Sequence, residues 1–168
     1  MGTQTGDRTA AAREQAWAQL ESVRQMVARL EHVQGGCDGK DCTLTDKEVC
    51  EGVNVYYQGN PPDDDMRREY HDEDKAREAI LEDALSVEVR SEWHTVGDES
   101  DDAEYRITLC TGGPAVQIRG QLGAYSEPDT AILECQDWFT PWVEVETTGE
   151  DERIMLVYAQ QFYFEAGS

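Results

Sequence analysis

The sequence predicts an α+β fold in which N-terminal helices precede a four-stranded antiparallel meander sheet and a C-terminal helix closes the chain. Three observations predict it. Apolar residues near the N-terminus recur at helical spacing, the period changes to two from Leu85 onward, and helical spacing returns after Thr147 and Thr148. A chain of 168 residues has room for one domain around one core. Residues 1–84 are expected to form a helical part with a Cys- and Asp-rich insertion at 34–72. Residues 85–168 supply the sheet and last helix, and the two parts join in one compact unit.

The first helix is expected over residues 8–33. Ala16, Leu20, Val23, Val27 and Leu30 share a face that Trp17 and Met26 broaden, while Arg13, Glu14, Glu21, Arg24 and Glu31 lie opposite. Asp7 or Thr9 caps its start and Gly35-Gly36 ends it. The apolar face packs on its own domain in one reading; in the other it pairs with a second copy to make a homodimer. After a Gly- and Asp-rich loop, Thr45-Asp46-Lys47-Glu48 fits a capping box. Val49, Val53, Tyr56 and Tyr57 extend that helix for about three turns, until Gly59-Asn60-Pro61-Pro62 stops it. Asp63-Asp64-Asp65 leads to a third helix over about 73–83, with Ala76, Ala79 and Ile80 inward.

The sheet follows. Leu85, Val87 and Val89 alternate with Ser86, Glu88 and Arg90. Tyr105, Ile107 and Leu109 form a second set, and Val116, Ile118, Gly120 and Leu122 a third. A fourth strand spans 131–137. This alternation marks antiparallel strands with one wet face. Gly112-Gly113 suits a hairpin turn, and Val143 and Val145 suit a short edge segment. Thr147 or Thr148 caps the last helix, over about 150–163, which buries Ile154, Val157, Tyr158 and Phe162.

Charge narrows the partners. The formal net charge is −22, with 36 Asp+Glu against 14 Lys+Arg, and net −12 of it falls within residues 61–104. Direct nucleic-acid binding is excluded, because a polyanion repels a polyanion. Adsorption to anionic lipid is excluded on the same ground. No stretch reaches the about 18 apolar residues of a membrane span, and no apolar leader opens the chain, so the expected compartment is the cytoplasm. There the five cysteines are expected to be reduced.

Candidate chemistry is sparse. Cys37, Cys42 and Cys50, with His32 just ahead, make up a Cys3His set of the kind that holds zinc. A labile disulfide and plain thiols are the competing readings; the plain thiols are preferred and no cofactor is expected. Cys110 and Cys135, with His94, lack the electropositive setting that activates a thiolate. Gly112-Gly113-Pro114 lacks the Lys-Ser/Thr of a phosphate loop. The acidic runs lack the order of a calcium loop. No catalytic motif is found, and the chain is not expected to be an enzyme.

The blocks Leu-Ser-Val-Glu-Val-Arg-Ser (85–91), Tyr-Arg-Ile-Thr-Leu-Cys-Thr-Gly-Gly-Pro-Ala-Val-Gln-Ile (105–118), Gln-Asp-Trp-Phe-Thr-Pro-Trp (136–142) and Tyr-Ala-Gln-Gln-Phe-Tyr-Phe (158–164) resemble an uncharacterised family of small acidic proteins from phages, plasmids and other mobile elements. The resemblance implies a context, not a chemistry, and assigns no residue a role. Carboxylates at i, i+3 and i+4 on a helix stand about 5–6 Å apart, of the order of phosphate spacing along a nucleic-acid strand. The expected function is therefore noncatalytic inhibition of a basic nucleic-acid-binding or defence protein by charge mimicry. The acids expected to carry it are Asp63, Asp64, Asp65, Asp72, Asp74, Asp98, Asp101 and Asp102, with Trp142 as an apolar anchor. The alternatives are a zinc-ordered or aromatic-anchored interaction module, and an enzyme without a recognisable motif.

Overall fold

In the computed structural model, residues 5–91, 95–96 and 102–164 are described. Helix α1 (Thr5–Gln34) leads to three short helices, α2 (Asp46–Gly52), α3 (Asp64–Tyr70) and α4 (Glu73–Asp83). Five strands follow: β1 (Ser86–Ser91), β2 (Asp102–Cys110), β3 (Ala115–Gln121), β4 (Ile132–Gln136) and β5 (Val143–Glu144). Helix α5 (Gly149–Ala159) ends the fold. The sheet is an antiparallel meander in the order β1-β2-β3-β4-β5.

The expected α+β class is therefore present, with five strands in place of four. β5 is too short to show a period of its own; it is held by pairing Glu144 with Glu134 and Val143 with Cys135. The Val145 N–H adds a bond to the Leu133 carbonyl at 2.8 Å.

Periodicity on α1 translates into the core. Ala12, Ala16, Leu20, Val23, Val27 and Leu30 are at most 1% exposed. They meet Ala76 and Ile80 of α4, Ile107, Val116, Ile118 and Leu133 of the sheet, and Met155 and Tyr158 of α5. The apolar face of α1 thus packs on its own domain, so the chain's own sheet and helices cover the seat that the alternative homodimer reading would use. The same cluster joins the two halves around one core.

Elsewhere the helices differ from expectation. α2 is only seven residues long. Thr45 does form the capping box with Glu48, but the chain leaves the helix at Val53, and Asn54 is left-handed at φ 59°. Gly52 lies against the Tyr70 ring, where a Cβ would come within 2.3 Å. α3 is an additional helix, started by Asp63, whose carboxylate accepts from the Met66 N–H. Asp72 caps α4 in the same way through Lys75. On α5 the fully buried set is Asp151, Met155, Tyr158 and Ala159, while Ile154, Val157 and Phe162 pack partly buried beside it.

β1 departs most. Its alternation predicts one dry face, yet all six residues are exposed, with Val87 38% and Val89 39%. The strand pairs in register with β2, but α1 packs on β3 and β4, so the helix layer stops short of the edge strand. The Gly112-Gly113 turn has both residues at positive φ. Gly113 is also required by contact, since a Cβ there would fall 1.7 Å from the Trp138 Nε1.

Candidate functional site

A His/Cys cluster and an acidic surface stand out among the described residues, and both involve the arm formed by the loop after α1, α2 and α3. The arm is tied to α1 by Arg29, which is 4% exposed. Its guanidinium donates to the carbonyls of Tyr70 (3.0 Å), Gly52 (2.9 Å) and Glu69 (2.5 Å). These are last-turn carbonyls of α2 and α3, groups that lack partners within their helices and favour a cation. The Arg29 carbon lies 5.4 Å from the Tyr70 ring centre. Burial pulls its pKa down, although Tyr70, Glu69 and Asp72 act in the opposite direction. Sequence reasoning missed Arg29; the only signal was its place beside Leu30 at the margin of the apolar face.

Around this tie the structure gathers His32, Cys37, Cys42 and His71, whose donor atoms lie within 4.8 Å of one another. His32 comes from the last turn of α1, the two cysteines from the Gly-rich loop, and His71 from the C-cap of α3. The His71 Nδ1 is 2.7 Å from the Arg67 carbonyl, which can only accept, so that nitrogen carries the proton. Its Nε2 lone pair then faces the Cys42 Sγ at 3.3 Å. The His32 Nε2 approaches the same sulfur at 3.4 Å. The two imidazole rings are 5.7 Å apart and inclined at 60°. Burial pushes the Cys42 thiol up; the Leu44 N–H opposes this and the Cys37 sulfur reinforces it.

Three of the four sequence candidates, His32, Cys37 and Cys42, are therefore brought together, and Cys50 is not. Cys50 and Val49 are the buried residues of α2, and Cys50, 3% exposed, serves there as a small apolar side chain. His71 takes the fourth place. It lies 29 residues from Cys42, far outside any local ligand spacing. All five cysteines are free thiols in the structure.

The acidic candidates divide. Asp63, Asp64, Asp65, Asp72 and Asp74 are exposed. Asp63 and Asp72 also cap helices, and Asp65 pairs with Arg68. Asp98 and Asp101 lie outside the described residues, as does His94. The Asp102 backbone begins β2 opposite Ser91. Trp142 is half-buried, whereas Trp138 is 57% exposed and Phe139 98%. Burial raises the pKa of Cys110 and Cys135, which opposes the thiolate a nucleophile needs.

The described cations are mostly engaged within the chain. Arg24 holds Asp151 at 2.6 Å, Arg67 holds Asp46 at 2.8 Å, and Arg77 holds Glu73 at 2.9 Å. On the sheet, Arg106 meets Glu88 at 2.5 Å and Arg119 meets Glu134 at 3.0 Å. Asp64, Glu69, Asp74 and Glu82 are exposed and belong to none of the ion pairs among the described residues. No helix among those residues is long and apolar enough to cross a membrane. The chain matches no family model, no curated protein and no solved structure.

Proposed function

We propose that this chain is a noncatalytic acidic binding protein that occupies the basic, nucleic-acid-binding surface of a partner protein. The observation that supports this best is the disposition of charge on α3 and α4. Arg67, Arg68, Lys75 and Arg77 are each committed to a carboxylate of the same chain. Asp64, Glu69, Asp74 and Glu82 are left facing solvent on two consecutive helices. A rigid, outward negative surface associates quickly with a basic cleft and loses affinity as salt rises. The resemblance to mobile-element proteins favours a host nuclease or other defence complex as the target. The half-exposed Trp138 and the exposed Phe139 supply apolar contacts of the kind that anchor interfaces.

The test is capture from lysate at low salt, followed by stepped salt elution and competition with duplex DNA. A nucleic-acid-binding protein released by salt and displaced by DNA supports the reading. Replacing Asp64, Asp74 and Glu82 with Asn or Gln, which leaves the caps Asp63 and Asp72 in place, should then slow association and flatten the salt dependence. A partner that ignores both salt and DNA overturns it.

A further inference from the structure

We infer that His32, Cys37, Cys42 and His71 form a structural zinc site. The inference stands apart from the acidic-surface reading and needs none of it.

The geometry of the donors carries it. In a tetrahedral site with Zn–S of about 2.3 Å and Zn–N of about 2.0–2.1 Å, nitrogen and sulfur ligands lie about 3.6 Å apart and two sulfurs about 3.8 Å apart. The two observed N···S separations are 3.3 and 3.4 Å, and the whole set spans no more than 4.8 Å. The site closes around a metal by small side-chain movements. Without a metal the two contacts need opposite roles, the thiol donating to the His71 Nε2 and the sulfur accepting from a protonated His32 Nε2. For a shared cation the same arrangement is apt, since each atom offers a lone pair to a common centre.

The surroundings agree. The His71 Nδ1–H is anchored on the Arg67 carbonyl, the outer bond that fixes the tautomer and aim of a ligating histidine. Gly39, at φ 85°, passes so close to the His71 ring that a Cβ would be 3.3 Å from Nδ1. Two thiolates and two neutral imidazoles balance the charge of a dication. Mixed sulfur and nitrogen donors in a tetrahedron select zinc over the oxygen-loving cations. Four protein ligands leave no position open for substrate, so the metal is structural and not catalytic. It joins the end of α1 to the end of α3 across a loop containing Gly35, Gly36 and Gly39, which has few apolar side chains to order it.

The experiment uses the full chain purified under reducing conditions with added zinc. Metal content by mass spectrometry should give one zinc per chain. Cobalt substitution should give the visible bands of a tetrahedral thiolate site, a readout that needs no variant. His71→Asn should weaken zinc binding by at least about 100-fold, the upper end of what loss of a mere outer-shell partner costs, while Cys50→Ser should bind as the parent does. Octahedral cobalt spectra, substoichiometric zinc, a Cys37–Cys42 disulfide that persists under reductant, or parental affinity in His71→Asn would each overturn the assignment. Loss of binding in Cys50→Ser with folding intact would overturn the choice of ligands.

Discussion

Replacing Arg29 with Met keeps the stem of the side chain and removes the charge that ties α2 and α3 to α1. Three carbonyls lose a donor: Tyr70, Gly52 and Glu69, bonded at 3.0, 2.9 and 2.5 Å. Hydrogen bonds from a charged group contribute about 1.5–3 kcal/mol each. They are not additive here, since the partly exposed Gly52 and Glu69 carbonyls can turn to water. A net cost of about 1–3 kcal/mol follows, the penalty for leaving the buried Tyr70 acceptor without its donor. Because Val49, Cys50 and Tyr70 are buried outside the main core cluster, the cost should fall on the arm first. Hydrogen exchange should show α2 and α3 losing protection while β3 and β4 keep theirs, and urea unfolding should give the magnitude. Zinc affinity should fall as well, since His71 rides on α3. A cost below about 1 kcal/mol, or loss of protection spread evenly over the sheet, would refute the clamp.

Further outcomes are expected. Burial alone would raise the Asp151 pKa, but the Thr148 N–H, the Arg24 guanidinium and the Thr148 hydroxyl override it and hold the carboxyl below its ordinary value. The fold therefore binds fewer protons there than the unfolded chain. The contribution is complete above the ordinary carboxylate range of about 4 and is lost as pH falls through the lower folded value. Asp151→Asn should cost about 1–3 kcal/mol at neutral pH, and its denaturation midpoint should converge with the parent's in acid. Gly113→Ala should cost about 1 kcal/mol or more beyond Gly112→Ala. Both glycines have positive φ, but only Gly113 has Trp138 against it; equal costs, with unchanged Trp emission, would show that the indole does not rest on the turn. Ile107→Ala should cost about 2–5 kcal/mol, and Val89→Ala less than about 1 kcal/mol. Thermal melts that rank them the other way would mean that β1 is covered.

The legible parts of the fold were those in which burial repeats locally. Ala16 through Leu30 mark α1, the alternation at Tyr105-Ile107-Leu109 marks β2, and Thr148 marks the start of α5, because each pattern is written in neighbouring residues. α3 was hidden because its seven residues are mostly charged and bury only Tyr70. β5 was hidden as a full strand because two residues carry no period. The exposure of Val87 and Val89 depends on where α1 lies over the sheet, which no strand pattern contains. Within the His/Cys group, His32, Cys37 and Cys42 are near enough in sequence to be grouped by spacing. Cys50 was included on the same logic, and only the packing of α2 removes it. His71 and Arg29 are joined to their partners through the contact of α1 with α3, a tertiary relation without a local trace.

The distribution of cations explains how so acidic a chain holds together. At net −22, self-repulsion works against the compact state, and several of the few basic residues are placed where acidic elements meet. Arg24 joins α1 to Asp151 of α5, and Arg153 joins α5 to Glu31 of α1 at 2.6 Å. Arg67 joins α3 to Asp46 of α2, while Arg106 and Arg119 bridge neighbouring strands. Exposed pairs of this kind each contribute little, about 0–1 kcal/mol; their effect lies in cancelling repulsion at junctions that would otherwise bring carboxylate against carboxylate. These cations therefore do more for the fold than acids that neither pair nor cap a helix. Among the described residues the side chains of Asp64, Glu69, Asp74 and Glu82 form no ion pair between elements, so the surface they make can change, or meet a partner, without loosening the fold beneath it.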